Sequence, residues 1–268
     1  VDFGDLTFGG DNQIATLGTL SGNGITVRNV TDLAVSGPVE SLSGLTVSVA
    51  GGDLAVNGVV SSGNAPLLLQ ASGNVTIAAG GTVTASGSST AAGITLSAAT
   101  PDSGFAIGQP GSVTLAGSLS TLQEVDINAG TGGITQTGGQ ISAARLAVQS
   151  GGQALLNGAG AGTPNAIGNL RNVNAAGDFA LDNGDTALVV TGQVVAANIL
   201  LRTTSILGFG RYCAVVSTGC FAPPGALDAG VGTVSLQVGD LVVAPPASTI
   251  TGGVVEIAPA LAEPMQVG

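Results

Sequence analysis

The stretch Asn74-Val75-Thr76-Ile77-Ala78-Ala79-Gly80-Gly81-Thr82-Val83-Thr84 decides the fold. Two apolar residues flank one small polar residue, glycines follow, and a second β-branched run begins. Strand pleating places Val75 and Ile77 on one face and Thr76 on the other. The glycines mark a corner, because they allow sharp turns and close backbone approach. The triplet is not isolated. Leu54-Ala55-Val56, Val75-Thr76-Ile77, Ile94-Thr95-Leu96 and Val113-Thr114-Leu115 begin roughly 21, 19 and 19 residues apart. Ile25-Thr26-Val27 pairs with Leu45-Thr46-Val47 at the same distance, as do Val125-Asp126-Ile127 with Leu146-Ala147-Val148 and Phe179-Ala180-Leu181 with Ile199-Leu200-Leu201. A steady period of this size defines a stack of repeats in which each unit touches only its neighbours.

The expected fold is therefore all-β, a parallel β-helix (β-solenoid) with coils of about 20 residues. The triplets are too short and too β-branched for helices, and they stop at Gly, Asn or Asp. Stacked copies would form inner ladders of Val, Ile and Leu with Thr outside. About 13 coils at about 4.8 Å each would make a rod of roughly 60 Å. Asn12, Asn57, Asn74, Asn128 and Asn157 are expected at corners, where asparagine tolerates left-handed backbone.

Composition agrees. Glycine supplies 45 of 268 residues, and the apolar share is 44%, enough to bury a core. The net charge of −11 disfavours nucleic acid and anionic membranes, which call for basic surfaces. No apolar run approaches the ~18 residues of a spanning helix. One Tyr and no Trp fit poorly with the aromatic girdles of a membrane barrel.

A longer repetition lies over the short one. Asn12-Gln13-Ile14-Ala15-Thr16-Leu17 resembles Asn165-Ala166-Ile167-Gly168-Asn169-Leu170, an offset of about 153. Matching apolar positions continue from Ile25 with Phe179 to Val35 with Val190. The pattern breaks after Arg202. The expected divisions are a β-helix shaft over 1–202, a loop excursion over 203–229, final coils over 230–258 and a proline-containing tail or linker over 259–268. In the excursion, a Cys213–Cys220 disulfide would close a loop of about eight residues and stabilise it by roughly 2.5 kcal/mol. It requires an oxidising compartment, and a reduced thiol pair is the alternative. The same excursion gathers Phe209, Arg211, Tyr212 and Phe221 in a chain poor in aromatics. Aromatic and Arg side chains favour interfaces, so these four residues form the expected interaction loop. The competing reading packs their rings onto the coil wall.

Gly133-Ile134-Thr135-Gln136-Thr137-Gly138-Gly139-Gln140-Ile141 is followed by Ala144-Arg145-Leu146-Ala147-Val148, and later by Asn165–Leu170 and Gly177-Asp178-Phe179-Ala180-Leu181. In these phrases the chain resembles the filamentous haemagglutinin-like proteins and β-strand-repeat autotransporter passengers of Gram-negative bacteria. The resemblance implies a right-handed β-helix, export through an outer-membrane pore, and work as an adhesin or extracellular filament at the cell surface. Neither the family's Asn-Pro-Asn-Gly-type phrase nor a carboxy-terminal barrel is found. The chain also starts without Met or a signal-like segment, so an internal shaft segment or a processed product is expected.

The expected function is a non-catalytic structural and adhesive segment of a secreted surface protein. Its partners would be further copies of itself, joined end to end, and a host or neighbouring cell surface, glycans included. No cofactor or metal is expected, since two Cys without His leave zinc two ligands short. The alternative is a carbohydrate-active or carbohydrate-binding β-helix, with paired acids doing acid–base work or holding calcium. Its candidate clusters are Asp178, Asp182 and Asp185; Glu124 and Asp126; and Asp2 and Asp5. Gly9-Gly10-Asp11 and Gly51-Gly52-Asp53 echo the start of a calcium-binding nonapeptide without its nine-residue spacing. Gly158–Gly162 lacks the Lys-Ser/Thr of a phosphate loop. Thr82-Val83-Thr84 alone has the form of an ice-binding pair. Corner acids that simply keep a rod soluble are the plainer reading.

Overall fold

The computed structural model describes residues 4–87, 93–99, 106–158, 163–210, 225–243, 248–260 and 266–267. Among them every regular element is a strand, and every strand pairing is parallel. The chain winds through about 11 turns of about 21 residues. At about 4.8 Å per rung the stack is about 50 Å long.

Each early coil has one long strand and two short ones. Leu45–Val49, Leu54–Val56 and Val59–Ser62 make one such coil. Leu67–Ala71, Val75–Ile77 and Thr82–Ala85 make the next, each directly above its counterpart. Strand parity sorts the side chains as expected. Val75 and Ile77 are fully buried and Thr76 is not. The column Val35, Val56, Ile77, Leu115 continues through Leu156, Leu181, Leu201 and Leu236, all fully buried. Each such side chain contributes about 1.5–3 kcal/mol on burial, and the same core runs unbroken along the whole axis.

The stacking order differs from the expected one at a single place. Val75 sits above Leu54 and below Val113. Ile94 instead sits above Leu67 and below Val125, on another wall. The two 19-residue steps through Ile94 thus join different walls. The coil holding Ile94 is lengthened by residues between its strands, so Val75 and Val113 are 38 residues apart in sequence yet adjacent in space. Lengthened coils also explain 11 turns rather than 13.

The cross-section changes its orientation midway. Ile141–Ser150 and Ala166–Ala175 are ten-residue strands that run through what were two walls. Above them the column of Leu45 and Leu67 carries the short triplet Leu188–Val190. The column of Leu54 and Val75 now carries the long strands, Ile199–Phe209 at its start and Thr233–Val243. The long wall has therefore moved round by one side of the prism. The 153-residue repetition records this shift: Ile25 lies on one wall and Phe179 on the next.

Three boundaries are corrected. Residues 203–209 do not leave the wall, because Thr203 pairs with Val238 and Leu207–Phe209 pair with both Leu188–Val190 and Leu241–Val243. Phe209 is a core residue, 1% exposed, between Val190 and Val243. Wall pairing is described through Phe209 and again from Ala226, which pairs with Gln193. Arg211, Tyr212, Cys213, Cys220 and Phe221 lie outside the described residues. The tail still contributes rungs, since Pro259 pairs with Val238 and Gln266–Val267 pair with Asp240–Leu241. Asn128 belongs to the strand Glu124–Ala129 and not to a corner. Gly133 and Gly139 adopt left-handed backbone (φ +78° and +62°), which is why glycine occupies both turns.

Candidate functional site

Polar side chains are placed in three settings: inside the corners, along the outer corners, and on one outer wall. Inside, Asn29, Asn165 and Asn183 are buried, as is Gln136. Gln136 occupies an inward position between Leu115 and the rung of Leu156, where every other column member is aliphatic. It is satisfied by Asn165. The Gln136 amide donates to Asn165 Oδ1 at 2.9 Å, and the Asn165 amide donates back to Gln136 Oε1 at 2.9 Å. Asn165 also accepts from the Ile141 N–H and donates to the Leu156 carbonyl. Ser41 and Ser62 stack at another corner, their hydroxyls directed at backbone carbonyls. Among the described residues no buried side-chain polar atom lacks a partner. These groups fasten corners, and none faces solvent where a substrate could meet it. Asn29 is fully buried as well, in the same kind of setting.

Along the outer corner before the second wall, polar groups bind coil to coil. Asp32 Oδ1 accepts from the Asp53 N–H, Asp53 Oδ1 from the Asn74 N–H, and Asn74 Oδ1 from the Ser112 N–H, at 2.9, 2.7 and 2.9 Å. Farther up, Asp178 accepts from the Asn198 amide, and Asn198 Oδ1 accepts from the Thr233 N–H. Asp53 is thus part of a structural ladder and not of a calcium turn. Gly9, Gly10 and Asp11 lie within the strand Leu6–Asn12, where Asp11 pairs with Arg28.

The acids singled out from the sequence do not converge. Asp178 precedes the strand Phe179–Asp182 and Asp182 ends it, so they stand about 13 Å apart along the backbone. Asp182 faces Arg202 at 3.3 Å and caps the Gly184 N–H, while Asp185 is exposed. Asp5 bonds Asn23, and Asp2 lies outside the described residues. Glu124 is held by Arg145 at 3.3 Å and Arg171 at 3.5 Å. Asp126, two residues along the same outer face, has its pKa raised above 3.8 by burial, with the neighbouring Glu124 charge adding to the rise and the Asn128 side chain opposing it. A raised carboxylate beside a clamped one is the nearest approach to an acid–base pair, but Glu124 is already occupied by two guanidinium groups. No group of three or more His, Cys, Asp or Glu side chains among the described residues could hold a metal ion. Thr82 and Thr84 are flanked by Val59 and Ser61 below and by Ser118 and Ser120 above, so no threonine ladder forms there. In the glycine run, residues 159–162 lie outside the described residues.

One shallow depression of about 360 Å³ opens on the outer wall, lined by Leu155, Ala180, Leu200, Ser235 and their neighbours. Its cause is local. Leu155, Ala180, Leu200 and Ser235 form one outward column, and Ala180 is too short to fill the gap between two leucines. From sequence, Thr is expected on the outer face, and Leu155, Ala180, Leu200 and Ser235 have no expected role there. The signal was present in the middle letters of the triplets, which change from Thr to Leu and Ala at this height.

Comparison of the chain with protein-family models, with curated proteins and with solved structures gave no match in any of the three. The geometry defines a class of architecture, a continuous β-solenoid consistent with a structural shaft.

Proposed function

We propose that the chain is a non-catalytic, rigid shaft segment of a secreted adhesive protein at the surface of a Gram-negative bacterium. The carrying observation is that one aliphatic core runs through the stack and that polar side chains join coil to coil at the corners, with Asp53, Asp178, Asp182 and Glu124 each engaged by a residue of a neighbouring coil. Such a stack transmits load along its axis through parallel backbone ladders and offers few frayed edges along its length to proteases. The resemblance to filamentous haemagglutinin-like proteins and autotransporter passengers supports export through an outer-membrane pore and an adhesin role. The chain's acidity and its scarcity of cations suit a solvated exterior fibre.

The test is binding of the purified chain to host-cell surfaces and to a glycan panel, with polysaccharide cleavage assayed alongside. Retention on cells without cleavage is expected, and release of oligosaccharides would overturn the reading. A second reading is a carbohydrate-binding β-helix. The observation favouring it is the depression at Ala180, whose lining includes the polar side chains of Asp178, Asn198 and Gln237. Glycan binding abolished by Ala180→Leu, with cell retention unchanged, would select it.

A further inference from the structure

The chain holds four Asn-Gly pairs, Asn23-Gly24, Asn57-Gly58, Asn157-Gly158 and Asn183-Gly184, and no Asp-Gly pair. Such a pair reacts with itself wherever the glycine nitrogen can reach the asparagine Cγ, because glycine puts no side chain in the way. Sequence makes the four alike, and the fold separates them. Asn183 is fully buried, its amide group makes three hydrogen bonds, and the Gly184 N–H donates to Asp182 Oδ1 at 3.1 Å. Asn23 is exposed, but its amide donates to Asp5 Oδ1 at 3.0 Å. Asn57 is exposed and its side chain is unengaged among the described residues, yet its glycine is held, the Gly58 N–H donating to the Val35 carbonyl at 3.1 Å.

Asn157-Gly158 is held at none of these points. Asn157 is exposed, and among the described residues its side chain has no hydrogen-bond partner. Its backbone is also an exception in the stack. In coils below, the two N–H groups that follow the wall triplet donate to the carbonyl closing the triplet one coil down. Asn57 and Gly58 donate to Val35, Ala116 and Gly117 to Ile77, and Thr137 and Gly138 to Leu115. The matching acceptor for Asn157 and Gly158 is the Gln136 carbonyl, but among the described residues neither N–H has a partner. Gly158 passes so close to that oxygen that a Cβ would collide with it, so glycine is obligatory here. Leu156, directly before, is fully buried, and its carbonyl accepts from the Asn165 amide at 2.8 Å. The pair thus hangs from a fixed point of the core with its electrophile and its nucleophile both unrestrained.

We infer that Asn157-Gly158 is a self-modification site, at which the folded chain loses the Asn157 amide and gains an aspartate or isoaspartate. Hydroxide takes the proton of the Gly158 N–H, and the nitrogen attacks Asn157 Cγ. The N–Cγ bond forms, the Cγ–Nδ2 bond breaks, and ammonia leaves with a proton taken from water. Water then opens the cyclic imide at either carbonyl. One opening restores the ordinary backbone with an Asp side chain, and the other routes the backbone through the side chain and lengthens it by one carbon. Either product adds one negative charge to a chain of net charge −11. The corner absorbs the change, because the buried column ends at Leu156.

The experiment incubates the 268-residue chain, folded and denatured, at mildly alkaline pH and follows each pair by peptide mapping with enzymatic labelling of isoaspartate. In the folded chain Asn157 is expected to convert first, at close to its denatured rate. Asn183 is expected to be slowed by more than about tenfold relative to the denatured chain, because its buried hydrogen bonds must open first. Asn57 and Asn23 should fall between. Folding that slows Asn157 as much as Asn183, or an Asn57 that converts ahead of Asn157, overturns the proposal. Asn157→Gln should remove most of the isoaspartate formed by the folded chain, and undiminished isoaspartate overturns the assignment. Asn157→Asp, which installs one of the two products, should keep the β-sheet spectrum and urea midpoint of the unaltered chain. A lowered midpoint would show that the core holds Asn157 after all and would overturn the proposal.

Discussion

Asn183 replaces a missing backbone partner of Ile167. Its Oδ1 accepts from the Ile167 N–H at 2.8 Å, and its amide donates to the Ile167 carbonyl at 2.9 Å and to the Thr186 carbonyl at 2.9 Å. Asn29 does the same for Ile14 and Thr31, at 2.7, 3.0 and 2.7 Å. Both asparagines are fully buried. A corner interrupts the ladder, and a side-chain amide restores it.

Asn183→Ala leaves a buried donor and a buried acceptor unpaired. Each orphaned group costs about 1–3 kcal/mol, so a loss of about 2–4 kcal/mol is expected in urea unfolding. Asn198→Ala, at an exposed corner, should cost less than about 1 kcal/mol.

Gln136 and Asn165 bond one another twice in the core, so their losses should not add. A double-mutant cycle with Gln136→Leu and Asn165→Leu should give a coupling of about 1–2 kcal/mol. Additive losses would show that the two side chains are independent.

Leu68 and Leu69 are adjacent in sequence and on opposite faces of one strand. Leu69 is fully buried, and Leu69→Ala should cost about 2–5 kcal/mol. Leu68→Ala should change stability by about 0.5 kcal/mol at most. Thermal and urea midpoints of the pair read the pleat directly.

Asp126 sits between Thr95 and Ala147 on the outer wall, and burial raises its pKa above 3.8. The folded chain therefore holds this proton more tightly than the unfolded chain. The stabilisation is fully present below pH 3.8 and is lost as pH rises through the folded pKa. Asp126→Asn should gain stability relative to the unaltered chain as pH rises from 3 to 7. Denaturant midpoints at several pH values check the slope, and an unchanged difference would deny the burial.

The pleat was legible because parity needs only neighbouring letters: Val75-Thr76-Ile77 declares its inner face by itself. The wall on which a triplet belongs was not. Ile94-Thr95-Leu96 resembles Val75-Thr76-Ile77 closely enough to stand in for it, and the lengthened coil places it midway between Val75 and Val113. Phe209 was read as loop on account of its aromatic neighbours, yet Leu207-Gly208-Phe209 is itself an apolar–small–apolar triplet, and that signal would have kept it in the wall. The buried amides of Gln136, Asn165 and Asn183 were hidden, because asparagine at an inner corner and at an outer corner have the same sequence surroundings. The depression at Ala180 depends on side-chain length across three rungs, which becomes readable only once the rungs are aligned.

Cysteine cross-linking tests the stacking most directly. Thr76 pairs with Thr114, and Thr95 lies on another wall. Neighbouring strands lie about 4.8 Å apart, within the Cα span of about 4.4–6.8 Å that a disulfide bridges. In the Cys213→Ser, Cys220→Ser background, Thr76→Cys with Thr114→Cys should oxidise readily, and Thr76→Cys with Thr95→Cys should not. The reverse outcome would contradict the three-walled solenoid.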